Sequence, residues 1–507
     1  MNRSRLRVPI LFLIVLLLST FGAAANGASV KPPAATVQID PTLPVHPLLQ
    51  YGAQVQPDKR VRIIVQKEPG TSSEAVARAA GSKIQEQFPF IQGLVLEVPQ
   101  RVVLALGRQK GIRYISPDNK LRHQAIGTDL LKTNYAAVVG APSLWNSATM
   151  PATGSGVTVA VLDSGVNPNH PDFSGGGLTA VLGNGKAKKY DDANGHGTHV
   201  VGIIRSRDPQ GRYIGVAPEA TVISLKIADD EGKSTEVDLI RGLQWVYANR
   251  TRYNIRVVNL SVSGSVPMSF LDSPISAAGE QLWNSGIVVV TASGNRGPGD
   301  TTAWYAPAND PHFIAVGALD HQNTVDRADD MIAPFSTRGT TQNGYYRPDV
   351  VAPGRRIVSA LAGPTSTLGL TFPDRITDTN YIRLSGTSMA APVVAGVAAL
   401  ILEKYPALTP DQVKWLLVNT ATAYPGMPDN AGIVDAPNAM VRAAAGSVPA
   451  ANLDLPFNRF ISNSTGTTQW AQTYWDQTYW DQTYWDQAYW DSNAGYEQAD
   501  YDYADAD

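Results

Sequence analysis

Four polar residues stand in surroundings that suit chemistry: Asp163 in VAVLDSGV, His196 in NGHGTHVVG, Asn295 in ASGN and Ser388 in LSGTSMAAP. Ser388 opens a segment with Ala390, Ala391, Val393, Val394, Ala398, Ala399, Leu400 and Ile401, apolar nearly all round and therefore a buried helix. Pro392 is expected to be tolerated there by lying in the first turn. A serine in that place reads in two ways. It is either an N-cap, or a nucleophile whose developing negative charge is favoured by the helix dipole and free amides. A nucleophile needs a base, and His196 is the candidate. A base in turn needs a carboxylate to fix the imidazole tautomer, which Asp163 would supply. Each has a plainer reading. His196 and His199, three apart, form a metal-like pair, but no H-E-x-x-H signature completes it. Asp163 and Asn295 suit turns, although the Asn295 amide is also a donor able to hold an oxyanion.

The elements that must position these residues are readable as well. GVTVAVLDSG, TVISLKIAD, RVVNLSVSG, GIVVVTASGN and FIAVGALD are short β-branched apolar runs between helical segments. That pattern predicts a parallel sheet covered on both faces. Asp163, Ser261 and Asn295 fall at the carboxyl ends of such strands, where open parallel sheets bind ligands. Ahead of this series, VRIIVQK reads as a strand, SSEAVARAAGSKIQEQF as a helix, and FPFIQGLVLEVP as two strands around Gln92-Gly93. QRVVLALGRQKG then reads as a helix and IRYISPD as a strand. The β-α-β-β-α-β order predicts a small ferredoxin-like α+β unit over 58–122, before an α/β unit over 126–447.

The ends of the chain have other compositions. Arg3, Arg5 and Arg7, the run VPILFLIVLLLS and the small-residue stretch GAAANGA have the order of a secretory signal peptide, assigned to 1–28. Secretion, and no membrane association after its removal, are the expectations. Residues 29–57 read as a Pro-rich linker. Residues 448–507 read as a low-complexity tail in which Trp470, Trp475, Trp480, Trp485 and Trp490 recur every five residues. That spacing matches neither helix nor strand, so the tail is expected to be disordered, with a carbohydrate or cell-surface ligand left open. The 507 residues carry 41 basic and 44 acidic side chains and no cysteine. Thiol chemistry and disulfides are excluded, and no bulk attraction to nucleic acid is implied.

The four segments, in this order, resemble the signature segments of the subtilisin-like serine proteases. The resemblance spans about residues 126–445, and the small unit before it resembles the family's inhibitory propeptide. It implies a three-layer parallel-sheet peptidase domain, with Asp163, His196 and Ser388 as the triad and Asn295 with the Ser388 amide holding the oxyanion. No cofactor is required for that chemistry. The resemblance further implies polypeptide substrates added as a strand between Gly232-Lys233-Ser234 and Ser261-Val262-Ser263-Gly264, with Ser293 and Arg296 also in the substrate-binding set. The propeptide is expected to act as an intramolecular inhibitor that is cut off by the enzyme itself. Ser263 replaces the family's usual glycine beside the pocket for the residue before the cut. Arg296, at that pocket's rim, is expected to favour Glu or Asp there over Lys or Arg. A structural calcium ion is implied at Asp172 with the carbonyls of Arg207, Gly211 and Tyr213, although Pro209 stands where the family offers an asparagine. The alternative is an inactive subtilase fold used for binding or surface attachment; such proteins lack a catalytic residue, and here all four are present.

Overall fold

The computed structural model describes residues 38–123, 134–145, 147–182, 191–209, 211–424, 427 and 431–461. The segment read as a signal peptide and the TYWDQ repeats lie outside the described residues.

The first unit comprises α1 (Pro47–Val55), β1 (Arg60–Lys67), α2 (Ser73–Ala79), β2 (Ile84–Phe88), β3 (Gly93–Pro99), α3 (Val102–Gly107) and β4 (Ile112–Pro117). Its four strands form a sheet in the order β2-β3-β1-β4, with all pairs antiparallel. Period-two alternation gives this sheet two apolar faces. Ile63, Val65, Leu94 and Leu96 pack under the helices with Val76, Ala77, Val103 and Leu106. Ile64, Val95 and Tyr114 point the other way and join the core of the following domain.

Two boundaries in this unit differ from expectation. The stretch read as a linker is folded from about Leu43: Val45 pairs with Ile115, and Leu49 and Ala53, one helical turn apart in α1, are buried against the small sheet. The prolines misled, because Pro47 sits at the first helical position, where its missing N–H costs nothing. The segment SSEAVARAAGSKIQEQF is also not one helix. It ends at Ala79, before Gly81 turns the chain at φ +61°, and Ile84–Phe88 becomes a largely polar edge strand.

A short strand, β5 (Lys120–His123), leads out of the first unit. The second unit opens with short helices α4 (Tyr135–Val138) and α5 (Ala141–Trp145). It continues through β6 (Thr158–Asp163), β7 (Leu178–Leu182), α6 (His196–Arg205), β8 (Thr221–Lys226), β9 (Ser234–Thr235) and α7 (Glu236–Asn249). Next come β10 (Ile255–Leu260), β11 (Val262–Gly264), α8 (Pro274–Asn284), β12 (Val288–Ala292), β13 (Ile314–Asp320) and β14 (Met331–Ile332). The remainder comprises β15 (Gly339–Thr340), β16 (Tyr346–Arg347), β17 (Val350–Pro353), β18 (Ile357–Ala360), α9 (Thr367–Thr371), β19 (Ile376–Thr377), β20 (Tyr381–Leu384), α10 (Thr387–Lys404), α11 (Pro410–Asn419) and α12 (Ala436–Ala444).

The central sheet runs β14-β13-β12-β10-β6-β8-β7, with β17 also on β13, and only the β13–β14 pair is antiparallel. Residues of β6, β12 and β13 are buried throughout, which is why these strands read as continuous apolar runs. Helices α6 and α10 pack together on the sheet, as do α7 and α8. Helix α10 is long and apolar enough to cross a membrane, but it is buried as the core helix of this domain.

The tail expected from residue 448 begins later. Val448, Phe460 and Ile461 are buried in the main core, and Asn458 fastens the segment by donating from Nδ2 to the Phe270 and Ser273 carbonyls. Side chains rather than secondary structure anchor this strap, so it leaves no periodic pattern to read.

Candidate functional site

Ser388 is the second residue of α10 and is fully buried. Its Oγ donates to the Ser261 carbonyl at 3.3 Å, while Ser261 Oγ donates to the Ser388 carbonyl at 2.9 Å and accepts from Asn259 Nδ2 at 2.9 Å. The β10–β11 junction is thereby tied twice to the first turn of the helix. The loop after β12 makes the other tie. Asn295 Oδ1 accepts from both the Thr387 amide and the Thr387 hydroxyl, each at 2.9 Å, and Thr387 Oγ1 accepts from the Gly294 amide at 3.1 Å. Helix starts leave N–H groups without internal acceptors, and a buried start must find them elsewhere. Asn295 is such an acceptor. Because its oxygen faces the helix, its Nδ2 donor occupies the other side of the amide.

His196 begins α6, with Nδ1 2.7 Å from Asp163 Oδ1 and both side chains buried. Asp163 Oδ1 also accepts from the Ser164 amide at 2.7 Å, which fixes the carboxylate at the end of β6. The start of α6 is held by a residue that motif reading passed over. Asp192 Oδ1 accepts from Ser164 Oγ and the Gly195 amide, both at 2.8 Å. Its Oδ2 accepts from the Thr198 amide at 2.7 Å and the Thr198 hydroxyl at 2.6 Å. A carboxylate a few residues before a helix is the available signal, since anions suit helix N-termini. Gly197 is required by proximity: a Cβ there would lie 2.2 Å from the Gly165 carbonyl, so only glycine lets α6 approach the loop after Asp163.

His199 does not form a metal pair with His196. It is buried, its Nε2 lies 3.1 Å and 3.0 Å from the Ile357 and Ile382 carbonyls, and burial pushes its pKa down to about 3. A neutral ring with Nε2–H shared between two carbonyls is a structural pin.

Of the residues expected to hold calcium, Asp172 and Tyr213 already have protein partners. Asp172 Oδ1 accepts from the Tyr381 hydroxyl at 2.8 Å, and the Tyr381 ring lies on that of Tyr213 with centroids 3.9 Å apart. The Tyr213 carbonyl accepts the Asp208 amide at 3.1 Å, and its hydroxyl donates to Asp378 at 2.9 Å. Arg212 binds Asp208 at 3.0 Å, and burial raises the Asp172 carboxyl above its ordinary range. Calcium takes six to eight oxygen ligands. Here Pro209 brings no side-chain oxygen, and Arg212 already engages the carboxylates of Asp208 and Asp378.

Strands β9 and β11 stand apart, and β5 lies antiparallel between them. Leu121 pairs with Ser234 on one side and Gly264 on the other, Arg122 with Ser263, and His123 with Val262. Gly232 turns the chain ahead of β9 at φ +81°, beside Lys233. Ser293 Oγ donates to the Thr337 carbonyl at 3.2 Å and so holds the loop that carries Asn295. Arg296 does not extend into water from the rim, but reaches across to Ser263.

The sequence profile of the subtilase family matches residues 154–443, more than half of the chain and every element carrying these side chains. The chain belongs to the subtilase family. It is 35% identical over 413 residues to serine protease AprX of Bacillus subtilis (strain 168), covering 77% of this chain and 90% of that protein. It is 33% identical over 343 residues to subtilisin E of the same strain, covering 68% and 78% respectively. The crystal structure of fervidolysin from Fervidobacterium pennivorans, described as a keratinolytic enzyme, superposes with a TM-score of 0.60 at 24% identity. That match covers 77% of this chain and 62% of fervidolysin, so this subtilase spans less than two thirds of that protein, and the likeness bears on fold. The protein is a subtilisin-like serine protease, and such enzymes need no cofactor for catalysis.

The Asp192 cluster yields a direct expectation. Asp192→Ala strands buried donors at the start of α6 and should cost about 2–4 kcal/mol of stability. Peptidase activity should fall with it, and Asp192→Asn should keep part of both. Urea unfolding midpoints for the three proteins measure this, and an unchanged midpoint in Asp192→Ala would contradict the assignment.

Proposed function

We propose that this subtilase is a secreted endopeptidase made as a self-inhibited precursor, in which Asp163, His196 and Ser388 form the triad and Asn295 with the Ser388 amide holds the oxyanion. The observation that carries the reading is β5, an extended segment hydrogen-bonded between β9 and β11 and leading toward Ser388. A groove that takes a polypeptide by its main chain suits polypeptide substrates, and here it holds the chain's own segment as an inhibitor would. The signal-like N-terminus supports secretion.

In the proposed mechanism, Ser388 Oγ leaves the Ser261 carbonyl and attacks the peptide carbon while its proton passes to His196 Nε2. Asp163 accepts from Nδ1–H throughout, which holds the tautomer and stabilises the imidazolium. The oxyanion sits at the start of α10, where the helix dipole and the Asn295 donor stabilise it. His196 then protonates the leaving amine as the C–N bond breaks. Water, deprotonated by His196, hydrolyses the acyl-enzyme and restores Ser388.

The first unit docks through charge as well as shape. The Asp118 carboxylate accepts from the Val237 amide at 2.9 Å, capping α7, and Asn119 Nδ2 donates to Glu236 Oε1 at 3.1 Å. Glu86 pairs with Arg241, and Phe90 stacks on Tyr247. Burial raises the Glu236 pKa to about 8, with the nearby Asp118 adding to the effect and the Asn119 hydrogen bond opposing it.

Two outcomes follow from this reading. Purified Ser388→Ala, kept free of other proteases, should stay uncut between Leu121 and Thr128, whereas the wild type cleaves itself there. Intact-mass spectrometry decides, and normal maturation of the variant would remove Ser388 from the role. The second outcome concerns pH. The docked state prefers protonated Glu236, so docking is strongest below the ordinary value of 4.5 and weakens as pH rises toward about 8. In the intact Ser388→Ala chain, hydrogen exchange in β1–β4, corrected for intrinsic rates, should therefore rise over that window. Glu236→Gln should flatten the profile, and an identical profile in both chains would contradict the linkage.

A further inference from the structure

Ser263 and Arg296, which flank the groove, are joined in space. Arg296 Nη1 donates to Ser263 Oγ at 2.9 Å, and Nη2 donates to the Gly264 carbonyl at 2.9 Å. The guanidinium carbon lies 3.7 Å from the Tyr305 ring centroid, and the Arg296 amide donates to Thr337 Oγ1 at 3.0 Å. The Gly264 amide donates to the Ala306 carbonyl at 2.7 Å, which binds β11 to the residue after Tyr305. Backbone, ring and two acceptors thus fix a cation that spans from the loop after β12 to β11.

That span crosses a particular place. The register of β5 runs from Gly264 through Ser263 to Val262, toward the Ser261 carbonyl that accepts from Ser388 Oγ. A residue whose carbonyl lies over Ser388 therefore projects its side chain into the gap between β11 and the Ser293–Arg296 loop. We infer that Arg296, held by Ser263 and Tyr305, makes this gap a pocket for an acidic side chain, so that the enzyme cleaves after Glu or Asp. The inference rests on the proposed peptidase reading of the same site.

The chemistry separates the side chains that enter. A carboxylate meets a guanidinium already in place, and arginine bonds carboxylates through charge-assisted, often bidentate hydrogen bonds. Stacking on Tyr305 means that little rotamer freedom is lost on binding. A lysine meets like charge. A phenylalanine must push the guanidinium off Tyr305 and break both of its hydrogen bonds. Ser263 acts through Arg296 and is a positioning residue, since a glycine there offers no side-chain acceptor to Nη1.

The test uses matched peptides differing only in the residue before the cut (Glu, Ala, Phe or Lys), with wild type, Arg296→Ala and Ser263→Gly. In wild type kcat/KM for Glu should exceed that for Phe by about tenfold or more, and that for Lys by a larger factor that shrinks with salt. Arg296→Ala should invert the Glu-to-Phe ratio, and Ser263→Gly should move it the same way by less. A wild type that prefers Phe or Lys, or an unchanged ratio in Arg296→Ala, overturns the inference. A preference for Ala over both Glu and Phe also overturns it, because Arg296 would then be a plug. Cleavage of none of the four by matured wild type would instead overturn the peptidase reading.

Discussion

A helix that is apolar on every side can be buried, but the amides of its first turn then lose water and must be met by the protein. Helix α10 is such a helix, and holding its start recruits the elements of the site. Asn295 accepts from the Thr387 amide, and Ser261 is tied to Ser388 by two hydroxyl-to-carbonyl bonds. Both come from loops at the carboxyl ends of neighbouring parallel strands. The same demand recurs at α6, where Asp192 meets the first-turn donors and ties them through Ser164 to the end of β6. Two buried helix starts are thus held by neighbouring loops, one carrying Ser388 and the other carrying His196 on Asp163.

The first unit is organised by a different constraint, a sheet with two apolar faces. Three short helices cover one face, and the second domain covers the other. Because the second face is apolar too, docking buries surface that the first unit would otherwise expose, so docking and folding of that unit support each other. Docking also lays β5 into the gap between β9 and β11, supplying backbone partners to two strand edges that would otherwise be open. The groove that favours an extended chain and the unit that fills it are therefore products of one sheet-pairing logic.

Much of this was legible from residues 126–447. The strands are buried on both faces and so read as unbroken apolar runs, and the chemically useful residues sit in glycine-rich turns beside them. What escaped reading lacked a local signal. Helix α1 is short and proline-flanked, with only an i, i+4 apolar pair to mark it, and β2 is an edge strand with little apolar content. The segment through Ile461 is held by Asn458 and aromatic contacts rather than by a repeating pattern. Asp192 resembles any turn aspartate until the helix start it serves is known. Arg296 and Ser263 were each singled out, yet their partnership depends on how the loop after β12 faces β11, which no sequence spacing encodes.

Under the proposed reading, His196 activates Ser388 at the buried start of α10. The most direct measurement is covalent labelling of the matured protein with a fluorophosphonate, followed by peptide mapping. A single adduct per chain is expected, on Ser388, and it should be abolished in His196→Gln. An adduct elsewhere in the chain, or equal labelling of Ser388 in His196→Gln, would contradict it.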